Sequence, residues 1–307
     1  MRRLSAFEGI ERLIRRGAPI SALTTWGVGG TAETLFTPKS EDELALILKR
    51  LYSEGLVSYV IGGGSNTLAA DGIIDVPVIL TKGMDGIDVS RRGGDIFMTC
   101  GAGVGLGKIF SYCVCGGWSG MEFAAGIPGT IGGALMGNAG TSGGDIASAV
   151  KSVRVLDSRG VAVELEKDDI KWGYRKSSLS VSALFISSVV LRFRPSTKEA
   201  VAEGAKKAAE TRNSQPLGAR TAGCVFKNPS GDKAGRLLEM SGCKELSIGG
   251  ARVSPLHANF IENHADASAM DIACLARECR RRVRDKFGLL LDFEIKSFGF
   301  PDGFMQG

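Results

Sequence analysis

The chain has 307 residues, room for two or three folding units at roughly 100–200 residues each. Hydrophobic residues at 44% allow a sizeable core, and charged residues at 23% are ordinary for a globular protein. The net charge of +5 suits a small anionic substrate but is too weak a signal for nucleic-acid binding.

Seven cysteines without a CxxC pair and only two histidines argue against a metal site, and read as free thiols in a reducing compartment. Met1-Arg2-Arg3 has no apolar stretch behind it, so no signal peptide is expected. The longest apolar run, 181–191, is broken by serines and suits a buried strand rather than a membrane span. A cytoplasmic location follows as the expectation. The unusual number is 43 glycines, about twice the common share of ~7%. They follow no collagen-like period and need a local cause.

Along the chain, Ser40-Glu41-Asp42-Glu43 forms a capping box ahead of Leu44, Ile47, Leu48 and Leu51 at helical spacing, with Gly55 as the stop. A short strand, Tyr59-Val60-Ile61, runs straight into Gly62-Gly63-Gly64-Ser65-Asn66. Strands follow at 78–80 and 96–100, then Gly101-Ala102-Gly103 and a helix carrying Leu106, Ile109, Phe110 and Cys113. Residues 116–144 read as turns and small residues. Two strands pair across Asp157-Ser158-Arg159-Gly160, and another spans about 183–193. After Pro195 a polar, alanine-rich helix over about 198–211 reads as a connector onto a last domain. That domain has a helix near 234–240, a strand near 259–261, and a long helix through Ile272, Leu275, Cys279, Val283 and Phe287 closed by Gly288. A strand over 290–297 ends it. The basic run 277–286 reads as a solvated helix face.

Glycines clustered directly after strands can bring main-chain N–H groups against a phosphate. Tight turns alone are the plainer reading, and the clustering argues against it. The P-loop pattern fails, because Gly107-Lys108 is followed by Ile109. The GxGxxG pattern fails too, with Leu106 and Thr67 at the third glycine positions. A dinucleotide fold of another kind is needed.

Two longer strings carry a resemblance. They are Ile61-Gly62-Gly63-Gly64-Ser65-Asn66-Thr67-Leu68 and Gly126-Ile127-Pro128-Gly129-Thr130-Ile131-Gly132-Gly133-Ala134, the second closing with Asn138-Ala139-Gly140. Together they resemble the FAD-binding domain of the vanillyl-alcohol-oxidase and p-cresol-methylhydroxylase (PCMH) type. Further markers are Thr24-Thr25-Trp26-Gly27-Val28-Gly29-Gly30, Tyr174-Arg175-Lys176-Ser177, Gly223-Cys224-Val225-Phe226-Lys227-Asn228-Pro229, His257-Ala258-Asn259-Phe260 and Glu294-Ile295. With these, nearly the whole chain resembles the UDP-N-acetylenolpyruvoylglucosamine reductases, in their second, shorter type.

The resemblance implies an α+β fold. A two-part FAD-binding PCMH-type domain would cover about residues 21–195, with subdomains of about 21–75 and 76–195. An N-terminal segment, 1–20, would precede it. A C-terminal α+β substrate domain would follow over about 196–300, with a tail at 301–307. It also implies non-covalent FAD held by the two strings, NADPH as co-substrate, and a UDP-sugar substrate reduced at its enolpyruvyl ether in peptidoglycan precursor synthesis.

By the same resemblance, Arg175 stabilises the developing enolate, Glu294 orients the substrate carboxylate, and Cys224 donates the proton where the family usually has serine. Read as a group, a thiol of pKa ~8.5 is a stronger acid than an alcohol, but beside a cation it can ionise and then cannot donate. Packing alone is the bland reading of Cys224. Tyr174, Lys227, Asn228, His257, Asn259 and Lys296 are candidate substrate contacts. Ser214 stands where lysine often precedes Gln-Pro, and Lys296 where arginine commonly follows the glutamate, which loses the bidentate fork. Two other readings stay open: another flavin oxidase or dehydrogenase of the superfamily, and a non-catalytic flavin- or UDP-sugar-binding protein. The sequence is silent on oligomeric state.

Overall fold

The computed structural model describes residues 7, 9–210, 212, 215, 216 and 218–305. They divide into two compact units, and the chain passes between them more than once. The first takes the described residues within Met1–Arg15, Thr34–Gly63 and Pro77–Arg212; the second takes Arg16–Glu33, Gly64–Val76 and the described residues of 213–307. Among the described residues, no helix is long and apolar enough to cross a membrane.

The first unit holds two main sheets and two short hairpins. In the smaller, the end of Thr31–Phe36 pairs in parallel with Val78–Leu80, which pairs in parallel with Tyr59–Ile61. The helix Glu41–Ser53 belongs to this part. Ser40 caps it by accepting the Glu43 N–H at 3.2 Å, and Leu44, Ile47, Leu48 and Leu51 bury its apolar face. Those residues join Phe7, Phe36 and Ile79 in one apolar cluster.

The larger sheet is antiparallel, in the order Ala162–Glu166, Val150–Leu156, Phe185–Pro195, Asp95–Gly101, Ile87–Arg92. Alternation along Asp95–Gly101 sends Ile96, Met98 and Cys100 into the core, where they meet Val153, Val155, Val189, Leu191 and Phe193. The helix Leu106–Gly116 ends on Gly117 at φ 65°, the left-handed cap that glycine adopts without cost.

Two features of this unit differ from the sequence expectation. The stretch 116–144 contains a real helix, Ile131–Gly137, capped by Thr130 and closed by Asn138. Gly132, Gly133 and Gly137 give it poor intrinsic propensity, which is why the pattern conceals it. The helix Lys198–Glu210 is no bridge to the last domain; it packs on the first unit through Val201 and Ala205, and a Cβ at Gly204 would lie 2.9 Å from the Glu122 side chain.

The second unit centres on the helix Ala269–Phe287, with a capping box of Ser268 and Asp271 at its start and Gly288 at φ 67° at its end. Ile272, Leu275, Ala276, Cys279 and Val283 face a core with Trp26, Leu68, Val225, Phe226, Ala251 and Val253. A three-stranded antiparallel sheet, Ser247–Ile248, Ala251–Val253 and Ile261–Asn263, packs on the helix. The expected strand at 259–261 thus begins two residues later.

The basic run of the helix is only partly a solvated face. Arg281 and Arg282 pair with Glu278, but Arg280 is buried, donates from Nε to the Leu291 carbonyl at 2.8 Å, and stands 5.1 Å from the Phe293 ring centre. The expected strand over 290–297 is regular only at Lys296–Phe298, which runs parallel to Thr67–Ala69. Before that it is joined by an isolated bridge between Phe226 and Phe293.

The Ser268 cap carries a test. Ser268→Ala removes the acceptor for the Asp271 N–H, 3.0 Å away, and should cost the second unit about 1 kcal/mol. Urea unfolding followed by the fluorescence of Trp26, buried in that unit, reads the loss; an unchanged midpoint would remove the cap from the stability of this helix.

Candidate active site

In the first unit the two glycine strings touch. A Cβ on Gly62 would sit 2.4 Å from Thr130 Oγ1, and one on Gly63 would sit 2.8 Å from Gly129 Cα. No side chain fits at either position. The second string is held from behind by Gly101-Ala102-Gly103 and the residues after it: Ile131 N–H donates to the Val104 carbonyl at 2.8 Å, Gly132 N–H to Ala102 at 2.9 Å, and Leu106 N–H to Gly129 at 3.0 Å.

Among the described residues, the main-chain N–H groups of Gly63, Gly129 and Thr130 find no protein acceptor. Thr130 is itself buried. A buried donor is rarely left unmatched in a native protein, and a diphosphate is a ligand that matches it together with the half-buried donors of Gly63 and Gly129. The residues therefore fit the phosphates of a dinucleotide.

The predicted cofactor residues divide by what they touch. Gly62, Gly63, Gly129 and Thr130 form the meeting point. Gly126 and Pro128 are exposed just before it. Gly132 is a packing glycine against Ala102, Gly133 is exposed, and Ala134 is part of the core. Leu68 has its side chain in the core of the second unit. Gly64 belongs to the second unit at φ 66°, and any Cβ there would overlap the Leu23 carbonyl. Ser65, Asn66 and Thr67 follow it in that unit.

Asn138 has structural work. Its backbone is left-handed at φ 42°, its Nδ2 donates to Asp145 at 3.1 Å and to the Gly173 carbonyl at 3.2 Å, and its Oδ1 accepts the Ala147 N–H at 3.2 Å. Ala139 returns a main-chain bond to Ala134, and Gly140 presses on Gly144 and Asp145 where a Cβ would clash.

Arg175 sits at the end of this second string. It is the second loop residue of a two-residue hairpin, with Trp172 opposite Ser177 and Gly173 opposite Lys176. Its φ is 52°, in the left-handed region where a turn normally places glycine. The hairpin is pinned from three sides. Asn138 holds Gly173, Ser177 Oγ donates to the Leu135 carbonyl at 2.8 Å, and Arg175 Nη1 donates to the Gly140 carbonyl at 2.7 Å. Tyr174 is exposed, its ring centre 5.6 Å from the guanidinium carbon. A side chain held at a costly backbone angle, with its guanidinium on the string, is built for position.

The second unit places Cys224 and Glu294 on adjoining segments. Around the Phe226–Phe293 bridge, Glu294 N–H donates to the Val225 carbonyl at 2.8 Å and Lys227 N–H to the Asp292 carbonyl at 2.9 Å. The Phe226 and Phe293 rings stack with centres 5.1 Å apart. Ala222, Val225 and Phe226 are buried in the core, whereas Cys224 is half-buried and lies outside it. Leu291 and Ile295 are buried in the core with Phe293 packed against it, while Asp292 is exposed and Glu294 half-buried. Asn66 holds this segment by donating from Nδ2 to the Glu294 carbonyl at 3.1 Å and accepting the Lys296 N–H at 2.9 Å. Lys296 itself is exposed, and Lys227 half-buried.

Three candidate substrate contacts are engaged elsewhere. Asn228 Oδ1 accepts the Ala234 N–H at 3.0 Å, at the start of the helix Ala234–Met240. Asn259 is buried and bonds the main chain of Phe226 at both ends of its amide. His257 accepts the Asn259 N–H on Nδ1 at 3.2 Å, leans edge-on against Phe260, and is packed so closely on Gly235 that a Cβ there would lie 2.9 Å from the ring. Burial lowers its pKa from the usual value, which keeps the ring neutral.

One residue that the sequence pattern did not single out lies against the start of the second glycine string. Arg212 Nη1 donates to the Ala125 carbonyl at 3.2 Å and stands 3.1 Å from where a Gly126 Cβ would be. The signal was a lone arginine after a helix, which no spacing rule distinguishes. Ser214 lies outside the described residues.

Comparison with known proteins follows this geometry. Residues 32–166 match the FAD binding domain family, and residues 215–298 match the family described as UDP-N-acetylenolpyruvoylglucosamine reductase, C-terminal domain. The chain is 37% identical over 291 residues to the UDP-N-acetylenolpyruvoylglucosamine reductase of Desulfosudis oleivorans, covering 92% of this chain and 93% of that protein. It is 39% identical over 287 residues to the enzyme of that name from Alkalilimnicola ehrlichii, covering 93% and 95%. The crystal structure of UDP-N-acetylenolpyruvylglucosamine reductase from Thermus caldophilus aligns with a TM-score of 0.80 at 32% identity, covering 93% of this chain and 98% of that one.

Two expectations follow from the geometry. Arg175→Gly and Arg175→Ala both lose the bond to Gly140, so their difference isolates the backbone. At φ 52° glycine should be more stable than alanine by about 1 kcal/mol in urea unfolding, and an alanine variant as stable as the glycine one would refute the strain. His257 gives the second. Its folded pKa lies below the unfolded value of 6.5, so the unfolded chain takes up the proton first as pH falls. Stability should therefore drop as pH falls below about 6.5, until the folded ring also titrates, with no such contribution above. In His257→Asn the part of the pH dependence that begins near 6.5 should disappear from urea midpoints measured between about pH 7.5 and 5.

Proposed function

Because the chain belongs to the UDP-N-acetylenolpyruvoylglucosamine reductase family, we propose that it performs the NADPH-dependent reduction of UDP-N-acetylglucosamine enolpyruvate to UDP-N-acetylmuramate, a cytoplasmic step of peptidoglycan precursor synthesis. The observation that carries the site assignment is Arg175, held in a left-handed turn with its guanidinium on the last residue of the second glycine string. In this reading about residues 21–195 carry the flavin, and the part of 196–300 that follows the helix Lys198–Glu210 carries the sugar nucleotide.

FAD, when bound, supplies a two-electron relay that takes hydride from NADPH and delivers it to the methylene carbon of the enolpyruvyl ether. Gly62, Gly63, Gly129 and Thr130 would hold its diphosphate through main-chain N–H groups.

The chain's own residues meet the needs of the substrate. Hydride addition leaves negative charge on the carbon beside the carboxylate, spread into the carboxylate as an enolate. Arg175 is the fixed cation for that charge; a pre-positioned donor set of this kind contributes about 3–4 kcal/mol of transition-state stabilisation. Glu294 orients the substrate carboxylate. Cys224 gives its Sγ proton to the α-carbon, and the thiolate left behind is reprotonated from solvent. Tyr174, Lys227 and Lys296 remain candidates for contact with the sugar nucleotide.

Anaerobic stopped-flow separates these roles. Cys224→Ala should leave the bleaching of the flavin by NADPH at its parental rate. It should slow recovery of the colour on adding the enolpyruvyl substrate by about 10²-fold or more. Recovery at the parental rate would sink the assignment of Cys224.

A further inference from the structure

The segment bearing Cys224 has no ladder of its own. It is joined to its neighbours by isolated bridges, Cys224 with Phe260 and Phe226 with Phe293. Gly223 before it is at φ 78°, a joint rather than a brace. Something other than a sheet must set where the thiol stands.

That work falls on Asn259. Its carbonyl accepts the Val225 N–H at 2.9 Å. Its Oδ1 accepts the Phe226 N–H at 2.9 Å, and its Nδ2 donates to the Phe226 carbonyl at 2.8 Å. The side-chain amide thus does what a neighbouring strand would do, offering one acceptor and one donor to a single residue. The side chain is buried, so water cannot take over either bond. Asn259 is in turn held by His257, whose Nδ1 accepts its N–H at 3.2 Å. The result is a chain of fixed contacts from His257 through Asn259 to Val225 and Phe226, the two residues that follow the thiol.

We infer that Asn259 is the positioning residue of the proton donor: it sets the location of Cys224 for the α-carbon without touching the substrate. This rests on the reading of Cys224 as donor. Asparagine is the side chain that serves here, because it carries acceptor and donor on one planar group at short reach. Aspartate keeps the shape and the acceptor but turns an oxygen toward the Phe226 carbonyl. Leucine keeps the approximate volume and removes both bonds.

The two half-reactions of the FAD-loaded enzyme are measured by anaerobic stopped-flow for the parent, Asn259→Asp, Asn259→Leu, Cys224→Ala and the Asn259→Asp/Cys224→Ala double variant. Asn259→Asp is included because its near-identical shape keeps the test alive should Asn259→Leu fail to fold. Bleaching by NADPH should stay within about twofold of the parent in the Asn259 variants, while recovery with the enolpyruvyl sugar nucleotide slows by about 10²-fold, the scale expected from a misplaced reacting group. In the Cys224→Ala background, Asn259→Asp should add less than about twofold, since the group it positions is gone. Equal slowing of both half-reactions, or the full effect persisting without Cys224, overturns the positioning role and leaves a merely structural one. A Cys224→Ala enzyme with parental recovery overturns the donor assignment beneath it, and is distinguishable because that result appears before Asn259 is changed.

Discussion

The close approach of Gly62-Gly63 to Gly129-Thr130 is the contact on which the arrangement of functional residues depends. A Cβ at either glycine would come within 2.4–2.8 Å of the other string, so the approach is possible only without side chains. It turns main-chain N–H groups toward a ligand instead of toward one another. The glycine excess of the chain has its local cause here and in the loop 101–103, which fixes the second string from behind. The price is a helix of seven residues with three glycines, Ile131–Gly137, which survives by packing rather than propensity.

From that contact the chain runs on to the catalytic candidates, one in each direction of function. The first string continues through Gly64 and Ser65 to Asn66, whose side chain and carbonyl bond to Glu294 and Lys296. The second ends at Asn138 and Gly140, which fix Gly173 and Arg175. Each string therefore does two jobs. In the proposed reading its glycines approach a phosphate, and its terminal asparagine or carbonyl anchors a candidate catalytic residue. In that reading a mutation that loosened either string would be felt at a candidate catalytic residue as well as at the cofactor.

Much of the fold was legible because its elements obey local rules. Ser40 and Ser268 sit at helix starts, Gly117 and Gly288 at helix ends, and the strands 95–101, 150–156 and 185–195 show their period or their apolar run. The site was legible through its strings and markers, since glycine positions record where backbones touch. What escaped was of a different physical kind. Asn66, Asn138, Asn228 and Asn259 all stand in motifs, and their positions suggested ligand contacts. The structure also gives each a bond to main chain, which no spacing rule foretells. A buried asparagine that replaces a strand edge has the same sequence appearance as one that binds a substrate, because both need a short amide at an invariant distance. Arg212 escaped for lack of any pattern, and the helix before it was assigned to the wrong neighbour because a short apolar face does not name its partner.

In the proposed mechanism, Cys224 as proton donor and Arg175 as fixed cation are opposite solutions to one demand. Arg175 is held by its own strained turn and by three anchors around it, so its position is bought with backbone energy in one residue. Cys224 follows a freely turning glycine, and its segment makes no regular ladder, so its position is lent by a neighbour. The difference follows from their chemistry. A guanidinium acts through a broad field and stays charged, so a rigid placement suffices. A proton donor must reach one carbon along one direction, with its hydrogen intact. Holding it from beside, through an amide that bonds the main chain of Phe226, fixes that direction.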